Sequence, residues 1–199
     1  MKIGIVGGSF DPIHKGHSLL SNYIVSQNIL DALYIMPCYK SLYNKELSSS
    51  EHRLNMLNLA ELHKNCIPFS WEIDNKIENV GTYDIMLILT KIFKLDQLYF
   101  IIGQDNAEKI NTWKNSDKIL NDIKFLVVPR KKYKNHQQWY LNHPHIFLKN
   151  YPENDFSSTN IKTIINNTEE LKKYLDKNVL DYIIQHQLYK GNNHEPSRY

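Results

Sequence analysis

Short apolar runs alternate along the chain with stretches whose apolar positions recur every three or four residues. The runs at 3–6, 32–36, 97–102, 125–128 and 146–148 are the length of buried strands. Phe69, Trp71 and Ile73 alternate with polar neighbours, so 68–73 reads as a half-buried strand. Helical periodicity fills the intervals. The spacing predicts a helix over 18–30, another from a capping box at Ser48 and Glu51 to about 63, and a strongly apolar one over 82–93 with Thr82 as its N-cap. Further helices are expected over 106–110 (capped by Asp105), 160–166, 169–175 and 179–188. The segment 38–50 is polar and reads as a solvated connection or a lid. That at 133–145 has no period and reads as an irregular surface loop. Strands alternating with helices imply an α/β, Rossmann-like doubly wound parallel sheet with C-terminal helices. A single domain over 1–189 and a disordered tail over 190–199 are expected, with no internal repeat.

Composition narrows the function class. The net charge of +3 over 199 residues is too small to announce a nucleic-acid binder. Cys38 and Cys66 lie far apart without metal-ligand spacing, so no zinc site or disulfide is expected. His136, His143 and His145 also lack such spacing, and no resident metal is predicted. No apolar run is long enough to span a membrane, and the chain enters a strand at once, so a cytoplasmic location is expected.

Gly7-Gly8-Ser9-Phe10-Asp11-Pro12-Ile13-His14-Lys15-Gly16-His17 carries the most specific chemistry. Glycines after a strand let backbone approach a ligand closely, and the following helix start offers free N–H groups to an anion. With a helix beginning near Pro12, His14 and His17 share one face of its first turn and meet the same phosphates. The stretch lacks both the P-loop ending and the three-glycine dinucleotide fingerprint. Asp105 follows a strand's C-terminal end, where open α/β sheets bind ligands, and Arg130 follows the next strand at the same edge. Trp113 sits in polar sequence, as a plate for a flat ligand or as an anchor for its loop. Ser157, Ser158 and Thr159 open a capped helix fit to hold phosphate, with Lys162 one turn on.

The glycine-to-histidine stretch resembles the His-x-Gly-His signature of the nucleotidyltransferase superfamily. With His52-Arg53-x-x-Met56-Leu57-x-Leu59-Ala60, Ile101-Ile102-Gly103-x-Asp105, Trp113, Arg130 and Ser157-Ser158-Thr159-x-Ile161, nearly the whole chain resembles nicotinate-mononucleotide adenylyltransferases of the bacterial type. That resemblance implies ATP with Mg²⁺ and nicotinate or nicotinamide mononucleotide as substrates, and deamido-NAD or NAD as product. It implies that Gly8, Ser9 and Phe10 meet phosphates through backbone amides and that His14 and His17, the catalytic pair, bind the triphosphate. Ser157, Ser158, Thr159 and Lys162 would join them. Asp105 would hold a ribose, Trp113 would stack on the pyridine, and Arg130 and the amides at Thr82, Tyr83 and Asp84 would complete the mononucleotide site. The alternatives are another enzyme of the superfamily, such as a pantetheine-phosphate adenylyltransferase or a cytidylyltransferase, and an RNA-binding module. Asp105 and Trp113 disfavour the first, and the missing basic, aromatic-interleaved stripe disfavours the second.

Three positions depart from the family's pattern. Lys162 stands where an Arg is usual, and an ammonium cannot reproduce the bidentate fork of guanidinium. The usual Pro-His-Lys after the second strand is missing, leaving Lys40 and Lys45 as candidates for its lysine. Asp84 replaces a Thr, and its charge would oppose a nearby substrate carboxylate unless it turns to solvent.

Overall fold

The computed structural model describes residues 1–41, 46–94, 97–131, 133, 137–152, 154 and 156–190. Its six strands are β1 (Ile3–Gly8), β2 (Ala32–Pro37), β3 (Cys66–Pro68), β4 (Leu98–Gly103), β5 (Lys124–Val128) and β6 (Ile146–Phe147). All pair in parallel in the order β3-β2-β1-β4-β5-β6. The order reverses between β1 and β4, the place where doubly wound sheets open a crevice beyond the strands' C-terminal ends.

The helices are α1 (Lys15–Ser26), α2 (Ser50–Leu59), α3 (Trp71–Asp74), α4 (Thr82–Phe93), α5 (Gln104–Ala107), α6 (Ser116–Asp122), α7 (Gln138–Leu141), α8 (Ser158–Thr163), α9 (Thr168–Leu171) and α10 (Lys177–Gln185). A single 3₁₀ turn, Ile110–Thr112, lies between α5 and α6. Strand side chains alternate between two cores. Leu33, Ile35, Tyr99, Ile101 and Leu126 meet Ile24, Met56, Leu57, Ile161, Val179 and Ile183 on one face. Ile3, Ile5, Phe100, Ile102, Phe125 and Val127 meet Ile85, Met86, Leu89, Ile119 and Tyr140 on the other. Each such fully buried side chain contributes roughly 1.5–3 kcal/mol. Burial on both faces is why the strands read as unbroken apolar runs.

Several boundaries differ from the sequence expectation. The predicted strand over 68–73 is a three-residue edge strand followed by a helical turn, because Ser70 O accepts from Asp74 N at 2.9 Å and the Ser70 hydroxyl donates to the Asp74 carboxylate at 2.6 Å. Phe69 and Trp71 pack on the second core, and their spacing mimicked a strand. The segment 137–147 is not surface loop throughout: Tyr140 on α7 is fully buried and Trp139 meets Phe125 edge-on. Caps move by one or two residues. Ser49 rather than Ser48 caps α2, Gly81 precedes Thr82, and Gly103 rather than Asp105 precedes α5. α2 ends at Leu59, α8 spans Ser158–Thr163 behind its N-cap Ser157, and the two terminal helices are shorter than expected. Residues 191–199 and His136 lie outside the described residues. No helix of the described residues is long and apolar enough to cross a membrane.

Candidate functional site

β1 delivers Gly7 and Gly8 to the switch point, and the chain then turns through Phe10, whose φ of 47° is left-handed backbone. A non-glycine residue holds that conformation only when its surroundings enforce it. The Phe10 ring supplies the reason, being buried at 3% exposure and edge-on to the His17 ring at 4.9 Å. Arg53 of α2 fixes the turn from behind. Arg53 is 1% exposed, and its guanidinium donates to Ser9 O, Ser48 O and Tyr39 O at 3.0–3.2 Å. Sequence reading quoted Arg53 as part of a motif and gave it no duty; five donors in one planar fork suit it to knotting three loops together.

α1 begins at Lys15, not near Pro12, and His14 is its N-cap. The His14 and His17 rings stack at 3.7 Å, and His14 N–H donates to His17 Nδ1 at 3.3 Å. Gly16 between them is required by close approach: a Cβ there would lie 2.6 Å from Phe156 Cβ and 3.0 Å from His14 Nδ1. The helix start is thus pressed against the entry to α8. Burial lowers the His14 pKa to about 4, with the Arg130 charge assisting, and His17 is lowered well below its usual value by burial, His14 and Arg130. Both imidazoles are therefore neutral at pH 7. Among the described residues, His14 Nδ1 is a buried polar atom without a hydrogen-bond partner.

A cavity of about 420 Å³ opens at the switch point. Gly8, Ser9, Phe10, His17, Thr82, Trp113 and Arg130 line it, drawn from segments more than a hundred residues apart. Trp113 also packs on the second core, so the plate and anchor readings hold together. Asp105 is not itself on that wall, but its carboxylate accepts at 3.3 Å from Nε of Arg130, which is. Gly103 lies beneath that pair, and a Cβ there would overlap Asp105 Oδ1 and come within 3.0 Å of Arg130 Nε.

Other expected residues, His14 of the expected catalytic pair among them, are not on the cavity wall. Tyr83 turns away to donate to Asp122 at 2.6 Å, and Asp84 pairs with Lys114 at 2.9 Å. Ser157 caps α8 and Ser158 donates to Pro12 O at 2.9 Å, while Thr159 is exposed. Lys162 reaches the buried Asp11 at 2.5 Å and lies 4.8 Å from the Tyr189 ring. Tyr189 OH in turn donates to Asp11 at 2.6 Å, and Ser48 N–H to the same carboxylate at 3.3 Å. Burial pushes the Asp11 carboxyl up, but these hydrogen bonds and the Lys162 charge hold it below its usual value. Lys40 is on the cavity wall, paired with Glu78 at 2.7 Å, whereas Lys45 lies outside the described residues.

Sequence reading also missed Glu72. It is 8% exposed, lies on the cavity wall, and burial raises its pKa to about 7 against a Tyr39 N–H and the Arg53 charge. Its false place in a strand hid it. Among the described residues no group of three or more His, Cys, Asp or Glu could hold a metal ion.

A cytidylyltransferase-like family profile matches residues 5–164. The chain is 33% identical over 184 residues to a probable nicotinate-nucleotide adenylyltransferase of Fusobacterium nucleatum, covering 90% of this chain and 95% of that one. It is 32% identical over 196 residues to the nicotinate-nucleotide adenylyltransferase of Bacillus subtilis, covering 96% and 99%. The fold is similar to that of Plasmodium falciparum nicotinic acid mononucleotide adenylyltransferase complexed with NaAD, with a TM-score of 0.82 and 25% identity over 96% of this chain and 98% of that one.

Proposed function

The chain belongs to the cytidylyltransferase-like family and, within it, to the nicotinate-nucleotide adenylyltransferases, and on that premise we propose that it joins ATP and nicotinate mononucleotide into the deamido form of NAD. One observation carries the reading. The cavity at the β1/β4 switch point brings the Gly8-Ser9-Phe10 turn and His17 together with Thr82, Trp113 and Arg130, a phosphate end and an aromatic end in one space.

The mononucleotide's 5′-phosphate oxygen attacks the α-phosphorus of ATP in line, forming one P–O bond as the bond to pyrophosphate breaks. A phosphate monoester has its second pKa near ~6, so the nucleophile is already ionised at neutral pH and needs no general base. The difficulty is bringing two polyanions together, and catalysis is positioning plus electrostatics. Amides of the 8–10 turn and the neutral imidazoles of His14 and His17 donate hydrogen bonds to the triphosphate. A bound polyanion raises the pKa of both rings and draws protons onto them. Mg²⁺ accompanying ATP would supply further positive charge to the triphosphate. Arg130 meets the mononucleotide phosphate, Asp105 its ribose and Trp113 its pyridine, while the N–H groups at the start of α4 take the carboxylate. Lys162 serves first as the counter-ion of Asp11 and reaches the triphosphate with its remaining hydrogens. The substrates are metabolites of the cytoplasm, where the enzyme is expected to act.

Incubating the purified protein with ATP, Mg²⁺ and a panel of phosphorylated acceptors, then identifying products by mass, tests the assignment. The expected products are the deamido dinucleotide and pyrophosphate, with some NAD from nicotinamide mononucleotide. Adenylylation of phosphopantetheine alone, or cytidylyl transfer from CTP, would overturn it.

A further inference from the structure

A buried polar network ends on Arg130, a residue of the cavity wall. At its centre is Gln104, which opens α5 directly after β4 and is 0% exposed. Gly103 and Val128 are the last partners in the β4–β5 ladder. Pro129 follows Val128 and has no N–H with which to continue it. The Gln104 side-chain oxygen accepts instead from Arg130 N–H at 3.2 Å, so a side chain supplies the next tie between the two strand ends.

The rest of the network fixes which way the Gln104 amide faces. A backbone N–H can only donate, so Gln104 turns its oxygen to Arg130 and its Nε2 to the Tyr140 hydroxyl, at 3.0 Å. Gln137 N–H also donates to that hydroxyl at 3.0 Å, and the phenol hydrogen goes to Glu108 at 2.9 Å. Glu108 accepts in turn from Gln137 Nε2 at 2.6 Å, and Gln137 accepts from Trp139 Nε1 at 2.9 Å. A reversed Gln104 would set donor against donor at Arg130 and leave a buried N–H unanswered. One orientation is therefore available to it. The next residue, Asp105, accepts from Arg130 Nε at 3.3 Å, so both members of that pair leave the sheet from points that Gln104 ties together.

We propose that Gln104, which is not itself on the cavity wall, is a positioning residue for the mononucleotide. Through the Arg130 N–H it sets where the guanidinium meets the substrate's phosphate and where Asp105 meets its ribose. This rests on the adenylyl-transfer reading given above.

The test is KM for each substrate, kcat and the thermal midpoint in the parent, Gln104→Met, Arg130→Ala, the two combined, and Trp139→Phe. Gln104→Met keeps the length of the side chain and removes its oxygen. It should raise KM for the mononucleotide at least ~5-fold and leave KM for ATP within about twofold. Added to Arg130→Ala, it should raise KM for the mononucleotide less than about twofold further, since the guanidinium it positions is gone. Trp139→Phe cuts the far end of the same network, and it should lower the thermal midpoint with both KM values within about twofold of the parent. Gln104→Asn, one methylene shorter, withdraws the oxygen from Arg130 while staying polar, and the pattern expected of Gln104→Met is expected of it too. Gln104 variants that leave KM for the mononucleotide at the parent's value, raise both KM values alike, or multiply in full with Arg130→Ala overturn the proposal. If Arg130→Ala itself leaves KM for the mononucleotide unchanged, or no mononucleotide is adenylylated, the reading above fails and this proposal falls with it.

Discussion

Asp11 and Glu72 are both carboxyl groups withdrawn from water, at 2% and 8% exposure, and their surroundings send them in opposite directions. Asp11 meets an ammonium at 2.5 Å, a phenol at 2.6 Å and a backbone N–H, and its pKa falls. Glu72 meets one backbone N–H and a guanidinium engaged elsewhere, and its pKa rises to about 7. A buried carboxyl that is fully answered is a fixed charge that ties segments together. Asp11 joins the 9–12 turn to α8 and to residue 189 near the end of the described chain. One left partly unanswered on a cavity wall is chemically available, because its protonation can be set by what binds.

The largest effect should come from leaving Asp11 without its partner. Removing one member of a buried pair strands the other, typically at a cost of ~3–5 kcal/mol. Lys162→Ala should therefore lower unfolding free energy by that order in denaturant titration, besides raising the KM for ATP. Adding Asp11→Asn to Lys162→Met should return much of it, since no unpaired charge remains. A Lys162→Ala protein as stable as the parent would mean that the pair is not what holds the turn.

His17 tests the catalytic side of the same turn. His17→Ala should reduce kcat by ~10²–10³, the usual loss for one preorganised donor to a charge that grows in the transition state. The thermal midpoint should change far less than with Lys162→Ala, because His17 is half-buried and ties no distant segments together. A variant within threefold of the parent would remove His17 from the mechanism.

Acidification separates the groups by sign. His14 has a folded pKa of about 4 against 6.5 unfolded, so its contribution to stability is present above about pH 6.5 and is lost as the pH falls toward 4. That contribution is on the order of 3 kcal/mol, with His17 acting in the same direction. Glu72 works oppositely: raised from 4.5 to about 7, it is most favourable below pH 4.5 and loses stability as the pH rises through about 7. The parent should thus lose less stability between pH 7 and pH 4.5 than Glu72→Gln does, by roughly 1–3 kcal/mol. Equal slopes in the two melting series would return Glu72 to an ordinary carboxyl.

The sheet was legible because its strands are buried on both faces and show as unbroken apolar runs, and the Gly7–His17 stretch because steric demands at Gly16 and Phe10 restrict what can stand there. Glu72 was hidden. A four-residue turn between aromatic residues has the same two-residue spacing as a strand, and a buried carboxyl has no local pattern. The partners of Asp11 were equally unreadable, since Lys162 and Tyr189 lie 151 and 178 residues away. Their pairing comes from the packing of α8 and the C-terminal segment against α1 and α2. Tyr140 was lost for a related reason: four helical residues in polar sequence give too short a window for periodicity, yet they bring one ring into the core.

The smallest effect is expected at Asp84, the acidic residue that the sequence made conspicuous. It lies in the first turn of α4, two residues past the helix start assigned to the nicotinate carboxylate, and from sequence alone its charge would oppose that carboxylate. The side chain instead pairs with Lys114 at 2.9 Å on an exposed surface and takes no part in the cavity wall. Exposed pairs of this kind contribute ~0–1 kcal/mol, and a charge so neutralised and solvated acts weakly on a neighbouring site. Asp84→Thr should therefore shift the acid-to-amide ratio of kcat/KM by less than about threefold, with little dependence on pH. If Asp84→Thr instead moves the ratio about tenfold, the Asp84 charge acts on the substrate carboxylate, and the Asp84–Lys114 pair must open when substrate binds.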